Sequence, residues 1–175
     1  FQHEFAITYS MIAQLILSNF ATQFFVDILA AKYADRVGHR LSMIISHICL
    51  ASGLILLAVL PNVLPNAYIG MIIAVMTYSV GSAISEVLVS PIVELLPSDA
   101  KTARMSLLHS AYSWGQVITI LASSIAISLI GAQYWYILPL VWALVPIYNI
   151  FNFARVPLVP PISESKKLST RGLFG

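Results

Sequence analysis

The chain has 175 residues, of which 59% are hydrophobic and only 9% are charged, whereas a soluble domain carries roughly 25% charged residues. Nine Lys and Arg against seven Asp and Glu give a net charge of +2, which is too sparse and scattered for a nucleic-acid-binding face. These figures exclude a soluble enzyme domain, a disordered chain and a nucleic-acid partner. With a single cysteine, Cys49, neither a disulfide framework nor a multi-cysteine metal site is expected.

Five apolar segments follow one another, each long enough to cross the roughly 30 Å hydrocarbon core of a bilayer. They cover residues 7–31, 41–60, 67–96, 105–130 and 134–153. Helices are expected because the runs lack the alternation of barrel strands. The predicted fold class is therefore an all-α membrane protein with five transmembrane helices. The breaks between the helices are predicted at residues 35–38, 61–66, 97–99 and 131–133.

The basic residues predict the orientation, since short cytoplasmic loops collect Lys and Arg. All nine lie near the first break, near the third break or in the tail: Lys32, Arg36, Arg40, Lys101, Arg104, Arg155, Lys166, Lys167 and Arg171. We expect a multi-pass protein of the plasma membrane with its N-terminal end outside and its C-terminal end in the cytoplasm. Because the chain begins with Phe1 and shows no signal-peptide pattern, it is interpreted as a fragment of a longer protein.

Glu86 is the acid nearest the centre of a span. It lies ten residues before Leu96, about 15 Å along a helix. Intramembrane acids are costly and by default functional, and Pro91 favours a kink beside this one. The functional interpretation is a proton or substrate site, and the alternative is a hydrogen bond to a neighbouring helix that serves assembly.

In the first span Asn19, Gln23 and Asp27 recur every four residues, so they line one helix face. This face is interpreted either as the wet wall of a translocation cavity or as a seam of hydrogen bonds between helices. The two interpretations stay open on the sequence alone.

The fourth span presents His109, Tyr112 and Gln116 at spacings of three and four. One face thus offers donors, acceptors and an aromatic ring, which is what a sugar or similar polar ligand requires. The alternative is a packing seam of small residues along the same helix. The two interpretations are compatible, because the binding residues and the small residues can lie on different faces of this helix.

Residues 31–40 read A-K-Y-A-D-R-V-G-H-R. This segment resembles the signature loop of the major facilitator superfamily, G-x-L-x-D-R-x-G-x-R-R, which joins the second and third helices. The matching residues are Asp35, Arg36, Gly38 and Arg40. Ala31, Tyr33 and Leu41 replace the first glycine, the leucine and the last basic residue of the motif.

This resemblance implies that the five spans are helices two to six of a twelve-helix transporter. Residues 1–153 would be a partial N-terminal six-helix bundle, and residues 154–175 the start of the central cytoplasmic loop, with the C-terminal half missing. It also implies alternating access about a midplane site. The four matching loop residues would latch the outward-open state, with Arg104 as a partner at the same cytoplasmic level, and we add the hypothesis that Glu94 also pairs there.

Two further segments are similar to the fucose permease branch of that superfamily. Residues 81–91, G-S-A-I-S-E-V-L-V-S-P, resemble its helix-four pattern, in which an acid five residues before a proline takes part in proton coupling. Residues 108–115, L-H-S-A-Y-S-W-G, fit its helix-five pattern Q/H-x-x-Y/F-x-x-G. The resemblance implies that Glu86 loads and releases a proton and that His109 stands where the fucose permease has a glutamine implicated in sugar contact.

The leading hypothesis is a secondary active transporter that carries a sugar or related polar nutrient together with a proton. The proton is the coupling ion, and no other cofactor is expected. The substrate-binding candidates are His109, Gln116, Tyr112, Asn19 and Gln23. The alternatives are a proton-driven exporter of the same fold and a non-transporting scaffold or sensor. An enzyme is not expected, because no H-E-x-x-H or G-x-S-x-G motif occurs.

Overall fold

The computed structural model describes residues 7–95 and 100–156. Its long helices are α1 (Tyr9–Val37), α2 (His39–Val63), α3 (Ala67–Leu95), α4 (Lys101–Ile130) and α5 (Ile137–Arg155), with a 3-10 turn at Ala132–Tyr134. The described part holds five helical spans long and apolar enough to cross a membrane and contains no strand. The all-α membrane fold class is thereby confirmed.

The first connection is shorter than the sequence indicates, because α1 continues to Val37 and α2 begins at His39. The apolar run marks only the part of the helix inside the hydrocarbon, and the helix continues through polar residues beyond it. Gly38 alone makes the turn, with φ 88° and ψ 140°. This is an extended conformation with positive φ, not the left-handed helical one, and it is essentially restricted to glycine.

The second connection is also short, since α2 runs through Pro61 to Val63. The Asn66 side-chain oxygen then accepts the backbone N–H groups of Tyr68 and Ile69, at 3.0 and 3.4 Å. It therefore caps the N-terminus of α3. The third predicted break, at residues 97–99, lies outside the described residues, as does the tail from residue 157 onward.

Around the remaining connection α4 ends at Ile130, as expected, whereas its start at Lys101 is four residues before the predicted one. Gly131 has φ 91°, and the 3-10 turn follows it. The last helix, α5, therefore begins at residue 137 instead of 134 and ends at 155 instead of 153.

The helices α2 and α3 form the most extensive pair, and they are antiparallel. Small residues bring the two backbones into contact. A Cβ atom on Gly81 would lie 2.7 Å from the Leu50 nitrogen, and one on Gly53 would lie 2.7 Å from the Tyr78 Cα. Buried Ser46 of α2 donates a hydrogen bond to the Gly81 carbonyl at 2.7 Å. This pair is the scaffold on which the other helices pack.

The other helices are arranged around this scaffold. The helix α1 packs along α3 and α5 packs along α2, whereas α4 contacts α3 only lightly. A hydrogen bond of 2.9 Å from Trp142 Nε1 to Ser123 Oγ joins α5 to α4. No residue of α4 is buried, so nearly the whole surface of this helix is open to a membrane or to a further protein segment.

Arg40, one of the loop-motif residues, ties α2 to the end of α5. Its Nη2 donates to the carbonyl of Val156 at 2.7 Å, and Val156 is the C-cap of α5. A cation at this position satisfies a terminal carbonyl and interacts favourably with the helix dipole.

Replacing Arg40 with alanine is therefore expected to loosen the last turn of α5. Amide hydrogen exchange at residues 152–156 should accelerate about fivefold, the factor that corresponds to one hydrogen bond of about 1 kcal/mol. Hydrogen–deuterium exchange mass spectrometry measures this. Lys101→Ala, which removes an exposed cation from the start of α4, is the control. Equal exchange in both variants would contradict the capping role.

Candidate functional site

An open groove of about 300 Å³ lies between α3 and α4. We call it the α3–α4 groove. It contains three of the residues singled out in the sequence, namely Glu86 from α3 with His109 and Tyr112 from α4. Glu86 is at least 23 positions from the other two in the chain, and helix packing brings all three to one cavity. Glu86 and His109 are both exposed, and Tyr112 is 70% exposed.

The polar character of the groove comes mainly from α3. Ser82, Ser85 and Ser90 line it together with Glu86, so one wall carries three hydroxyls and a carboxyl group. Hydroxyls both donate and accept hydrogen bonds. Leu50, Val89 and Leu108 supply apolar surface. Among the described residues that line the groove there is neither a Lys nor an Arg.

The serines were not identified as candidates from the sequence, because serine is common in membrane-helix packing seams. The spacing of the α3 residues nevertheless indicates that they share a helix face. Positions 82, 86, 89 and 90 follow the i, i+4, i+7, i+8 pattern of a single helix face, and Glu86 lies on that face.

The scaffold holds this wall in place. The Ser85 hydroxyl, next to Glu86 in the chain, is hydrogen-bonded to the hydroxyl of buried Ser46 on α2. The backbone contact at Gly81 lies just over one turn away on α3. Glu86 is therefore carried by a helix whose position is set by close packing, whereas His109 and Tyr112 are carried by the lightly packed α4.

Asn19 and Gln23 do not line the α3–α4 groove. They lie between α1 and α3, where Asn19 is hydrogen-bonded to buried Ser79 and the Gln23 Nε2 donates to Ser82 Oγ at 3.3 Å. This is the hydrogen-bonded seam that the sequence left as an alternative to a wet wall. Because Ser82 also lines the groove, Gln23 contacts a groove residue without entering the groove.

Asp27 completes the polar stripe of α1. The contacts of Gln23 with Ser82 and of Gln14 with Tyr68, the latter at 2.7 Å, show that α1 and α3 run parallel. The next turn of each helix carries Asp27 and Glu86, so the two acids lie at about the same depth. One carboxylate oxygen of Asp27 is buried without a hydrogen-bond partner, but Asp27 is not part of the groove lining.

Gln116 lies one turn beyond Tyr112 on α4, in a separate shallow depression lined only by α4 residues. Tyr112 lines both this depression and the α3–α4 groove. Gln116 is thus adjacent to the groove and exposed, but the structure does not bring it to Glu86.

The residues expected to form the latch are only partly brought together. Gly38 makes the turn and Arg40 caps α5, while the Arg36 guanidinium lies 5.9 Å from the centre of the Tyr33 ring. Asp35 belongs to α1, but its side chain lies outside the described part of the structure. Glu94 is exposed, and among the described side chains it forms no ion pair with Arg36 or Arg104. The pairing at Glu94 stays a prediction.

Comparison with known families gives one match. The family model for the Major Facilitator Superfamily matches residues 1–173. The chain belongs to the major facilitator superfamily. No curated protein and no solved structure matches the chain in the corresponding comparisons.

Members of the major facilitator superfamily are secondary transporters, so this membership gives the chain a general function in membrane transport. It also accounts for the apolar helical spans as parts of a multi-pass membrane protein. The family match does not distinguish branches of the major facilitator superfamily, and the similarity to the fucose permease branch stays a prediction.

Proposed function

We propose that this chain forms part of a proton-coupled symporter for a sugar or a related polar nutrient. The observation that carries the proposal is the meeting of Glu86, His109 and Tyr112 in the α3–α4 groove. A carboxyl group can bind and release a proton, and the imidazole and the phenol can donate and accept hydrogen bonds.

In this proposal Glu86 carries the proton. It lies nine residues before the end of α3, about 14 Å along the helix, and it lines a cavity whose described lining residues include neither Lys nor Arg. A carboxyl in this position can alternate between a charged and a neutral form as the cavity is exposed to one side or the other. The proton then moves with the substrate when both occupy the groove.

The polar substrate would bind the groove through His109, Tyr112 and the serine hydroxyls of α3. The tyrosine ring offers an apolar face, as a sugar ring requires, and the hydroxyls pair with its polar edge. Gln23 is hydrogen-bonded to Ser82 of the groove lining, and Gln116 lies in the neighbouring depression that Tyr112 also lines. Their substrate contacts require a movement of α4 or α1, and alternating access provides such movements.

We further propose that the five helices correspond to helices two to six of a twelve-helix transporter in the plasma membrane. The ends that carry Lys32, Arg36, Arg40, Lys101, Arg104 and Arg155 would face the cytoplasm. The helices supply one wall of the transport path, and the C-terminal half would supply the other.

A proton-driven exporter is the second candidate, and a specific observation favours it. Leu50, Val89 and Leu108 give the α3–α4 groove a large apolar component, which suits an amphipathic compound. An exporter and a symporter both use a carboxyl group for coupling, so the direction of movement distinguishes them.

Uptake into vesicles tests the proposal. The transporter, expressed from its complete gene and reconstituted, is given hexoses, pentoses and disaccharides with and without an imposed pH gradient, acid outside. We expect at least one sugar to accumulate only with the gradient. If no sugar moves and amphipathic dyes are expelled instead, the exporter replaces the symporter. If neither moves, the scaffold alternative gains support.

A further inference from the structure

A second groove of about 300 Å³ lies between α1, α2 and α3, on a different side of α3 from Glu86. We call it the apolar groove. Val26, Leu29 and Val37 of α1 face Ile45 of α2 and Ile84 of α3 across it. Among the side chains that the structure describes, Ser42 and Tyr33 are its only polar lining residues, and none of the lining residues is acidic. Such a surface does not bind a sugar, but it matches a hydrocarbon chain.

One end of this groove, at Tyr33 and Val37, lies at the basic end of the bundle. Tyr33, which lines the groove, is 42% exposed. The Lys32 Nζ lies 5.4 Å and the Arg36 Cζ 5.9 Å from the centre of the Tyr33 ring. Two cations are thus held at an aromatic residue that forms part of the groove wall.

We propose that the apolar groove binds one anionic phospholipid. One acyl chain lies along the aliphatic residues of α1, α2 and α3, and the phosphate of the head group contacts Lys32 and Arg36. Charge complementarity favours this occupant. An apolar protein segment would leave both cations without a negatively charged partner, and a lipid without net charge would be attracted to them less strongly than an anionic one. The Arg36 guanidinium can bind a phosphate through two parallel hydrogen bonds.

The depth of the groove fits the same occupant. Its lining runs from Val26 to Val37 on α1, twelve residues that rise by about 16 Å along the helix. About 10 Å of this length, from Val26 to Tyr33, precedes the level of the two cations and is available to the first part of an acyl chain. The head group then lies level with the last turns of α1, where the cations are.

Native mass spectrometry of the reconstituted transporter tests this proposal. The protein is equilibrated with equal amounts of phosphatidylglycerol and phosphatidylcholine that carry acyl chains distinguishable by mass. We expect one retained lipid per groove, with phosphatidylglycerol preferred. The Lys32→Gln and Arg36→Gln double variant should lose about fivefold of this preference per cation, the Boltzmann factor for one basic residue near an anionic lipid surface.

Two further variants make the test specific. Lys101→Gln with Arg155→Gln removes the same charge from exposed positions at the same end, outside the groove, and should keep the preference. Ile45→Trp fills the groove from a residue that is 39% exposed, and should reduce retention of both lipids. Equal retention of the two lipids by the unmodified protein, or an equal loss in both charge variants, would overturn the proposal.

Discussion

Replacing Glu86 with glutamine is expected to abolish proton-driven accumulation of the substrate while leaving substrate exchange across the membrane intact. Glutamine has nearly the same shape and keeps the hydrogen-bonding capacity of the α3–α4 groove, but it cannot take up or release a proton at physiological pH. The variant should therefore still bind and reorient with its substrate. Accumulation driven by a pH gradient should fall to passive equilibration, whereas counterflow of labelled for unlabelled substrate continues.

The matched control for this variant is Asp27→Asn. Asp27 is also an intramembrane acid and lies at about the same depth as Glu86, but it does not line the groove. We expect Asp27→Asn to keep gradient-driven accumulation. The assignment of the coupling site to the groove would be contradicted if Glu86→Gln accumulated substrate normally, or if Asp27→Asn alone lost accumulation.

Replacing Gly81 with alanine is expected to lower the stability of the protein markedly. The new Cβ would lie 2.7 Å from the Leu50 nitrogen and 2.8 Å from the Leu50 Cγ, and closer still to the Ser46 carbonyl oxygen. Two of these three atoms belong to backbone, so α2 and α3 must separate. Overpacking of this kind costs about 1–3 kcal/mol, and the separation also disturbs the Ser46 hydrogen bonds that hold the wall carrying Glu86.

Thermal unfolding in detergent, followed by loss of helical circular dichroism, measures this effect. Gly115→Ala is the matched control, because Gly115 is also inside a helix but a Cβ atom added there would meet no neighbouring residue within 4 Å. Alanine there should be neutral or stabilising by up to about 1 kcal/mol, the helix-propensity difference from glycine. A similar melting temperature for the two variants would show that α2 and α3 are not in backbone contact at Gly81.

The fold was largely predictable because each apolar run had to be a helix inside a bilayer. The ends of the helices were less predictable, since the length of an apolar run does not show how far the helix continues into the interface of the membrane with water. Residues 35–37 illustrate this: they read as a loop motif but extend α1. The contact from Arg40 to Val156 joins residues 116 positions apart, and no local pattern indicates it.

The candidate site was predictable as separate residues and not as an assembly. Glu86 stands out because a charge inside a span is costly. His109 stands out because it lies three residues before Tyr112, a spacing that places both on one helix face. Which helix faces meet depends on the close approach of α2 and α3 at Gly53 and Gly81. The spacing of Asn19 and Gln23 predicted a shared face, but only the serines of α3 show that this face lies against another helix.

Substrate protection of a cysteine in the α3–α4 groove is the most direct test of where the substrate binds. In a Cys49→Ser background, Ser90→Cys places a thiol in the groove lining, and Ser110→Cys places one beside His109 but outside both the groove and the α4 depression. We expect the transported substrate to slow maleimide labelling of Ser90→Cys and to leave Ser110→Cys unaffected. Equal labelling rates of Ser90→Cys with and without a saturating substrate would contradict binding in this groove.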